Sequence, residues 1–171
     1  MNVMADPPRY EVTSEDIEYL QVGDVPLLAR LYRPRGDGPF PAVVGVHGGA
    51  WTGGDRLNNA LLDHAVAAAG VVVLAIDFRL APQWRYPAPV ADINFGVRWL
   101  KVNAAGLGSR TEWVGAVASS SGGHQMLLNA LRPADPRYAA IPLPGHEGVD
   151  ASIAYAVAAS TPSCPGSGVA A

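Results

Sequence analysis

The chain has 171 residues, of which 49% are apolar, and a formal net charge of -3; it is long enough for one hydrophobic core and too short for two comfortable ones. That charge leaves no basic field for nucleic acid, no basic start runs into an apolar signal segment, and no apolar run could span a bilayer, so a soluble cytoplasmic chain is expected. A single cysteine, Cys164, excludes an internal disulfide.

In chain order, residues 1–16 are polar and contain Pro7 and Pro8, which predicts an irregular segment. Ile17–Leu20 and Leu27–Tyr32 are strand-like, and Gly23 and Asp24 between them carry the turn chemistry of an antiparallel hairpin. After a proline- and glycine-rich link, Ala42–Val46 is wholly apolar, as a strand covered on both faces should be, and it empties into His47-Gly48-Gly49-Ala50-Trp51. Asn58–Ala69 spaces Ala60, Leu61, Leu62, Ala65, Val66 and Ala69 three and four apart, predicting an amphipathic helix stopped at Gly70. Val71–Ile76 is a second buried strand, leading into Asp77-Phe78-Arg79-Leu80-Ala81-Pro82 and the aromatic loop Trp84–Pro87. Val90–Val102, between Pro89 and Gly106, reads as the next helix. A third buried strand, Val114–Ala118, is followed by a helical pattern from Gln125 on. Asp150–Ala158 reads as a last strand, and residues 159–171 form a Pro/Ser/Gly-rich, low-complexity tail. Alternating buried strands and helices imply an α/β fold with a mostly parallel sheet and helices on both of its faces, entered through the hairpin.

Two loops carry the chemistry. Ser119-Ser120-Ser121-Gly122-Gly123 lies where a strand turns into a helix, a place that lifts a hydroxyl out of the sheet and where glycines permit a tight corner. Ser120 is the candidate nucleophile; the competing reading is an N-cap, for which serine is equally suited. Against the G-x-S-x-G elbow pattern, Ala118 stands where the first glycine belongs, adding one methyl group at a crowded position. The second loop places Gly48 and Gly49 directly after a buried strand, leaving backbone N–H groups free to face a developing negative charge. Glycines there can also serve only to turn the chain, and a lone His47 is more often structural than a base.

HGGAW after one strand, DFRLAP after the next and SSSGGH after the third resemble the HGGGW, DYRLAP and GxSxGG motifs, in that order and spacing, of the hormone-sensitive-lipase and feruloyl-esterase-like group of α/β-hydrolase esterases (α/β hydrolase fold-3). The resemblance spans about residues 17–157. It implies a carboxylic ester hydrolase acting on a small ester through an acyl-enzyme on Ser120, with the oxyanion held by the N–H groups of Gly48, Gly49 and Ser121 and with neither cofactor nor metal. Trp51 and the Trp84–Tyr86 loop would line an acyl or alcohol pocket, or simply pack.

The resemblance also implies an acid and a histidine on loops after later strands. Downstream of Ser120 the histidines are His124, one helical turn on, and His146, earlier than the family's base would come; the acids are Asp135, Glu147 and Asp150. The expectation is therefore a C-terminally truncated or frame-shifted esterase: an irregular segment 1–16, a partial hydrolase domain 17–158 and a disordered tail 159–171. It would lack its C-terminal strands and triad partners, be impaired in catalysis, and self-associate through an exposed sheet edge. The alternative is a noncatalytic hydrolase-like module that binds a small ligand or a partner. A nucleotide-binding sheet is weaker still, since neither G-x-G-x-x-G nor a P-loop follows any strand.

Overall fold

The structure, a computed structural model, describes residues 9–162. The expected irregular start at residues 1–8, and most of the low-complexity tail with Cys164, lie outside the described residues.

Among the described residues, six strands form one sheet: β1 (Val12–Val22), β2 (Val25–Pro34), β3 (Phe40–Val46), β4 (Val72–Ile76), β5 (Ser109–Ser119) and β6 (Ala156–Ala159), in the order β1-β2-β4-β3-β5-β6. The β1–β2 and β2–β4 pairs are antiparallel; β4–β3, β3–β5 and β5–β6 are parallel. The expected hairpin is present with its two-residue turn, where Gly23 takes a φ of 57° that glycine accepts without strain. Its first strand starts at Val12, inside the stretch expected to be irregular, because residues 12–16 find ladder partners in Arg30–Pro34 that the short apolar runs did not reveal.

Among the described residues, three α-helices cover the sheet: α1 (Ala60–Ala68), α2 (Ala88–Asn103) and α3 (Ser120–Leu131). Alternation along the strands divides the core. Val72, Leu74 and Ile76 of β4 join Ala42, Val44 and Val46 of β3 against Ile93, Val97 and Leu100 of α2 and Met126 of α3. Val73, Ala75 and Val43 instead meet Ala67 and Val66 of α1. The central strands are thus covered on both faces, which is why they read as unbroken apolar runs.

Two further expectations need correction. On α1 the residues turned inward are Asp63 and Ala67, whereas Leu61 is 91% exposed. α1 lies close over the sheet backbone at Gly45, and only small or polar side chains fit that gap: a Cβ on Gly45 would stand 3.5 Å from Asp63 Oδ1. The last strand is also short, spanning Ala156–Ala159, because Asp150 is drawn to Lys101 and the Tyr155 ring lies across Gly115 with its hydroxyl bonded to the Ala42 carbonyl. β6 forms the sheet edge opposite β1, and all four of its residues are exposed. Among the described residues, no helix is long and apolar enough to cross a membrane.

Candidate active site

At its C-terminal end β5 is held on both sides, Ala118 pairing with Val46 of β3 and Ala158 of β6. Ala118, the departure from the elbow pattern, sits in this ladder without a left-handed φ, so its methyl group is accommodated. Ser119 is still extended, with φ -127° and ψ 147°; Ser120 then adopts φ 48° and α3 begins. A non-glycine residue in the left-handed region costs about 1–3 kcal/mol and persists only where its surroundings enforce it. Gly122 is one cause: a Cβ there would run into the His47 and Val46 carbonyl oxygens at the end of β3, so only glycine lets α3 start this close to the sheet. Ser120 is exposed, and its hydroxyl has no hydrogen-bond partner among the described residues.

The loop after β3 faces this corner. A Cβ on Gly48 would stand 3.0 Å from Ser120 Cβ. Buried His47 stacks on Phe78 at 4.3 Å, and its Nδ1 lies 2.6 Å from the Gly48 carbonyl oxygen, so that nitrogen carries the proton. Burial lowers the His47 pKa and keeps the ring neutral. Because the peptide is planar and trans, drawing the Gly48 carbonyl toward His47 turns the Gly49 N–H to the opposite side. His47 therefore orients the glycine loop and is not placed as a base.

Gly49, Ala50 and Trp51 follow with φ values of 133°, 50° and 65°, an unusual run of left-handed residues. The Trp51 N–H donates to Ser121 Oγ at 3.2 Å and its carbonyl accepts from Ala81 N at 3.0 Å, so the loop hangs between the elbow and the segment after β4. Further on, the Arg56 N–H and Nη1 both donate to the Asp77 carboxylate, at 2.7 and 2.9 Å, while Nη2 reaches Asp16 at 2.9 Å. Arg30 reaches Asp16 as well, at 2.7 Å, and these guanidiniums hold the Asp16 carboxyl well below the usual carboxylate range. Just before α1, Asn59 Nδ2 donates to Ser119 Oγ at 3.3 Å.

Of the candidates read from sequence, Ser120, Gly48, Gly49 and Ser121 belong to this one corner. None of the downstream candidates hydrogen-bonds Ser120. His124 sits edge-on to Trp51, with ring centroids 5.9 Å apart. His146 is exposed in a turn between Ile141, whose carbonyl accepts from Arg98, and Asp150, which binds Lys101 near the end of α2; that is the end of the sheet where β5 begins, away from Ser120. Asp135 is paired with Arg137, Asp150 with Lys101 and Ser152, and Glu147 with the Gly145 N–H. Sequence reasoning missed Asn59, Arg56 and the hydroxyls of Ser119 and Ser121 as parts of the site. No periodicity marks them, because their partners lie 21 to 70 residues away.

Beside the corner opens a cavity of about 390 Å³ whose walls include Trp51, Trp84, Tyr86, Val90, His124 and Leu128. Trp51 and the Trp84–Tyr86 loop thus line one cavity together with His124 and Leu128 of α3, the helix that Ser120 opens. An exposed serine on a strained corner beside a glycine loop is an arrangement suited to nucleophilic attack on a polarised carbonyl.

The BD-FAE family model matches residues 30–157. The chain is 37% identical over 119 residues to esterase LipC of Mycobacterium tuberculosis, which covers 67% of this chain and 28% of LipC. To the probable carboxylic ester hydrolase LipM of the same organism it is 32% identical over 146 residues, covering 83% of this chain and 33% of LipM. The chain spans about a third of the length of these curated relatives. Among solved structures, Thermogutta terrifontis esterase 2 phosphorylated by paraoxon superposes with a TM-score of 0.76 at 24% identity, over 86% of this chain and 57% of that one, a likeness of fold.

Proposed function

The chain belongs to the BD-FAE family of α/β-hydrolase esterases, and on that premise we propose that Ser120 is the nucleophile of a carboxylic ester hydrolase acting on small-molecule esters. Ser120 Oγ adds to the acyl carbon as its proton leaves for a base. The tetrahedral oxyanion collapses, the C–O bond to the alkoxy group breaks, and the alcohol departs protonated, leaving an acyl-Ser120 ester that water cleaves to the free acid. The N–H groups of Gly48, Gly49 and Ser121 would hold the oxyanion; each such donor is worth roughly 3–4 kcal/mol of barrier. The observation that carries this reading is the placement of Ser120, at φ 48°, against Gly48.

Turnover by this chain is expected to be impaired, because among the described residues no histidine hydrogen-bonds Ser120. A serine served by an oxyanion hole alone retains a residual of roughly 10³–10⁴ over water. That same missing bond favours the second reading, a noncatalytic module that uses the aromatic cavity to bind a small ligand. The reading further takes residues 17–158 as the hydrolase unit, without cofactor or metal, in the cytoplasm. It expects self-association through the β6 edge, where Val157 is 58% exposed; sedimentation velocity giving a monomer at all concentrations would contradict that element.

The test of function is release of p-nitrophenol from p-nitrophenyl acetate by the chain and by Ser120→Ala, with mass spectrometry of the protein. A burst that needs Ser120 and leaves an acetyl group on it supports the esterase. Equal release by the two proteins, with no adduct, rejects Ser120 as nucleophile and leaves the binding module.

A further inference from the structure

Resting on the reading of Ser120 as nucleophile, we propose that the hydroxyls flanking it, those of Ser119 and Ser121, are positioning groups that fasten the glycine loop over the nucleophile. The loop needs fastening: Gly49, Ala50 and Trp51 are consecutively left-handed, and two of them carry a Cβ that opposes this conformation. Such a run holds only where its surroundings over-determine it.

The two serines hold the loop at two points. Ser121 Oγ, on a side chain only 3% exposed, accepts the Trp51 N–H at 3.2 Å, at the end of the strained run. Ser119 Oγ accepts Asn59 Nδ2 at 3.3 Å, where the loop enters α1. Trp51 N–H has no backbone acceptor among the described residues, so removing the Ser121 hydroxyl leaves a part-buried donor without a partner and the run free to relax. Ser121 thereby does two separable things. Its backbone N–H is assigned to the oxyanion, while its hydroxyl holds the loop whose glycines supply the other donors. The hydroxyl itself touches no reacting atom, and its effect on the reaction passes through the position of Gly48 and Gly49.

The test compares the full chain with Ser121→Ala, Ser121→Thr and Ser119→Ala by two readouts: amide hydrogen exchange resolved by NMR, and the rate at which p-nitrophenyl acetate acetylates Ser120. Ser121→Ala should speed exchange at the Trp51 N–H by about tenfold while the sheet amides of Val44 and Leu74 stay unchanged, showing an intact fold. It should also lower the maximal acetylation rate by about tenfold with little change in the half-saturating ester concentration. Ser121→Thr, which keeps the hydroxyl, should restore both; Ser119→Ala should give a smaller change of about threefold. Unchanged exchange at Trp51 in Ser121→Ala overturns the proposal, as does an equal loss of acetylation in the alanine and threonine variants. Should wild-type protein take no acetyl group, the reading of Ser120 fails instead, and exchange at Trp51 alone then decides whether the hydroxyl holds the loop.

Discussion

On the α2 and α3 face of the sheet, Asp92 is fully buried and is met by Arg79 through its backbone N–H at 2.8 Å and its guanidinium at 2.8 to 3.1 Å. Nearby, Asn94 bonds Asn129 and the Pro133 carbonyl while Arg98 bonds Asn94 and the Ile141 carbonyl, so these side chains form one network, although Gln125 Oε1 and His124 Nδ1 on α3 are buried without a partner among the described residues. On the α1 face Asp63 is 2% exposed, yet its carboxyl makes no hydrogen bond or ion pair with any described residue. Desolvation alone pushes its pKa up to about 7. The Tyr32 hydroxyl in the same cluster is likewise buried without a partner. The two faces show that a buried carboxyl is tolerated in two ways. Where the chain brings a guanidinium and a peptide N–H to it, as at Asp92, these offset part of the desolvation that still raises its pKa; where it does not, as at Asp63, desolvation acts unopposed.

Breaking the compensated side should have the largest effect. Arg79→Ala strands Asp92 and should cost about 3–5 kcal/mol in urea unfolding. Adding Asp92→Leu to that variant should recover part of the loss, since an apolar replacement of both partners removes the stranded charge. A loss under 1 kcal/mol in Arg79→Ala would mean that the pair contributes no more than a surface contact.

The α1 face should respond with the opposite sign and only at higher pH. Asp63 has a folded pKa of about 7, above its ordinary value of 3.8, so the folded state binds the proton more tightly. That contribution is full below about pH 4 and is lost as the pH rises to 7. Asp63→Asn should therefore stabilise the protein by on the order of 4 kcal/mol at pH 8 and not at pH 4. Denaturation curves of the two proteins that run parallel across this range would show that Asp63 is ionised or solvated throughout.

Smaller effects sharpen the contrast. Lys101→Met removes a side chain that bonds Asp150 at 2.9 Å; because Asp150 is largely exposed, the expected cost is about 1 kcal/mol, measured by thermal unfolding at low and high salt. Smallest of all, Leu61→Lys should change stability by less than about 0.5 kcal/mol, since the side chain faces solvent. A large loss there would mean that α1 buries the leucine stripe that its spacing suggests.

The central strands were legible because parallel strands covered on both faces leave no polar positions, and the hairpin because two turn residues sit between two apolar runs. Ser120, Gly48 and Gly49 were legible for a similar reason, as short-range turn chemistry placed directly after buried strands. The face of α1 was not. Leu61, Leu62 and Ala65 have helical spacing, but the helix lies too near Gly45 for leucine to fit beneath it, and that distance depends on how β3 and β4 pair. The first strand began earlier than expected because Ser14, Glu15 and Asp16 are held by ladder bonds to β2, with no apolar alternation to announce them.

What the amino-acid order determined by itself is local: strands from apolar runs, helices from their stop signals, a strained corner from SSSGG and a free amide loop from HGGAW. Tertiary structure alone decided that Ser121 Oγ meets the Trp51 N–H 70 residues away, that His47 stacks on Phe78 and stays neutral, and that Asp92 finds Arg79 while Asp63 finds no partner. The physical reason is that backbone conformation answers to neighbours within a few residues. Hydrogen-bond satisfaction and desolvation answer instead to whatever the packed sheet and helices bring within about 3 Å.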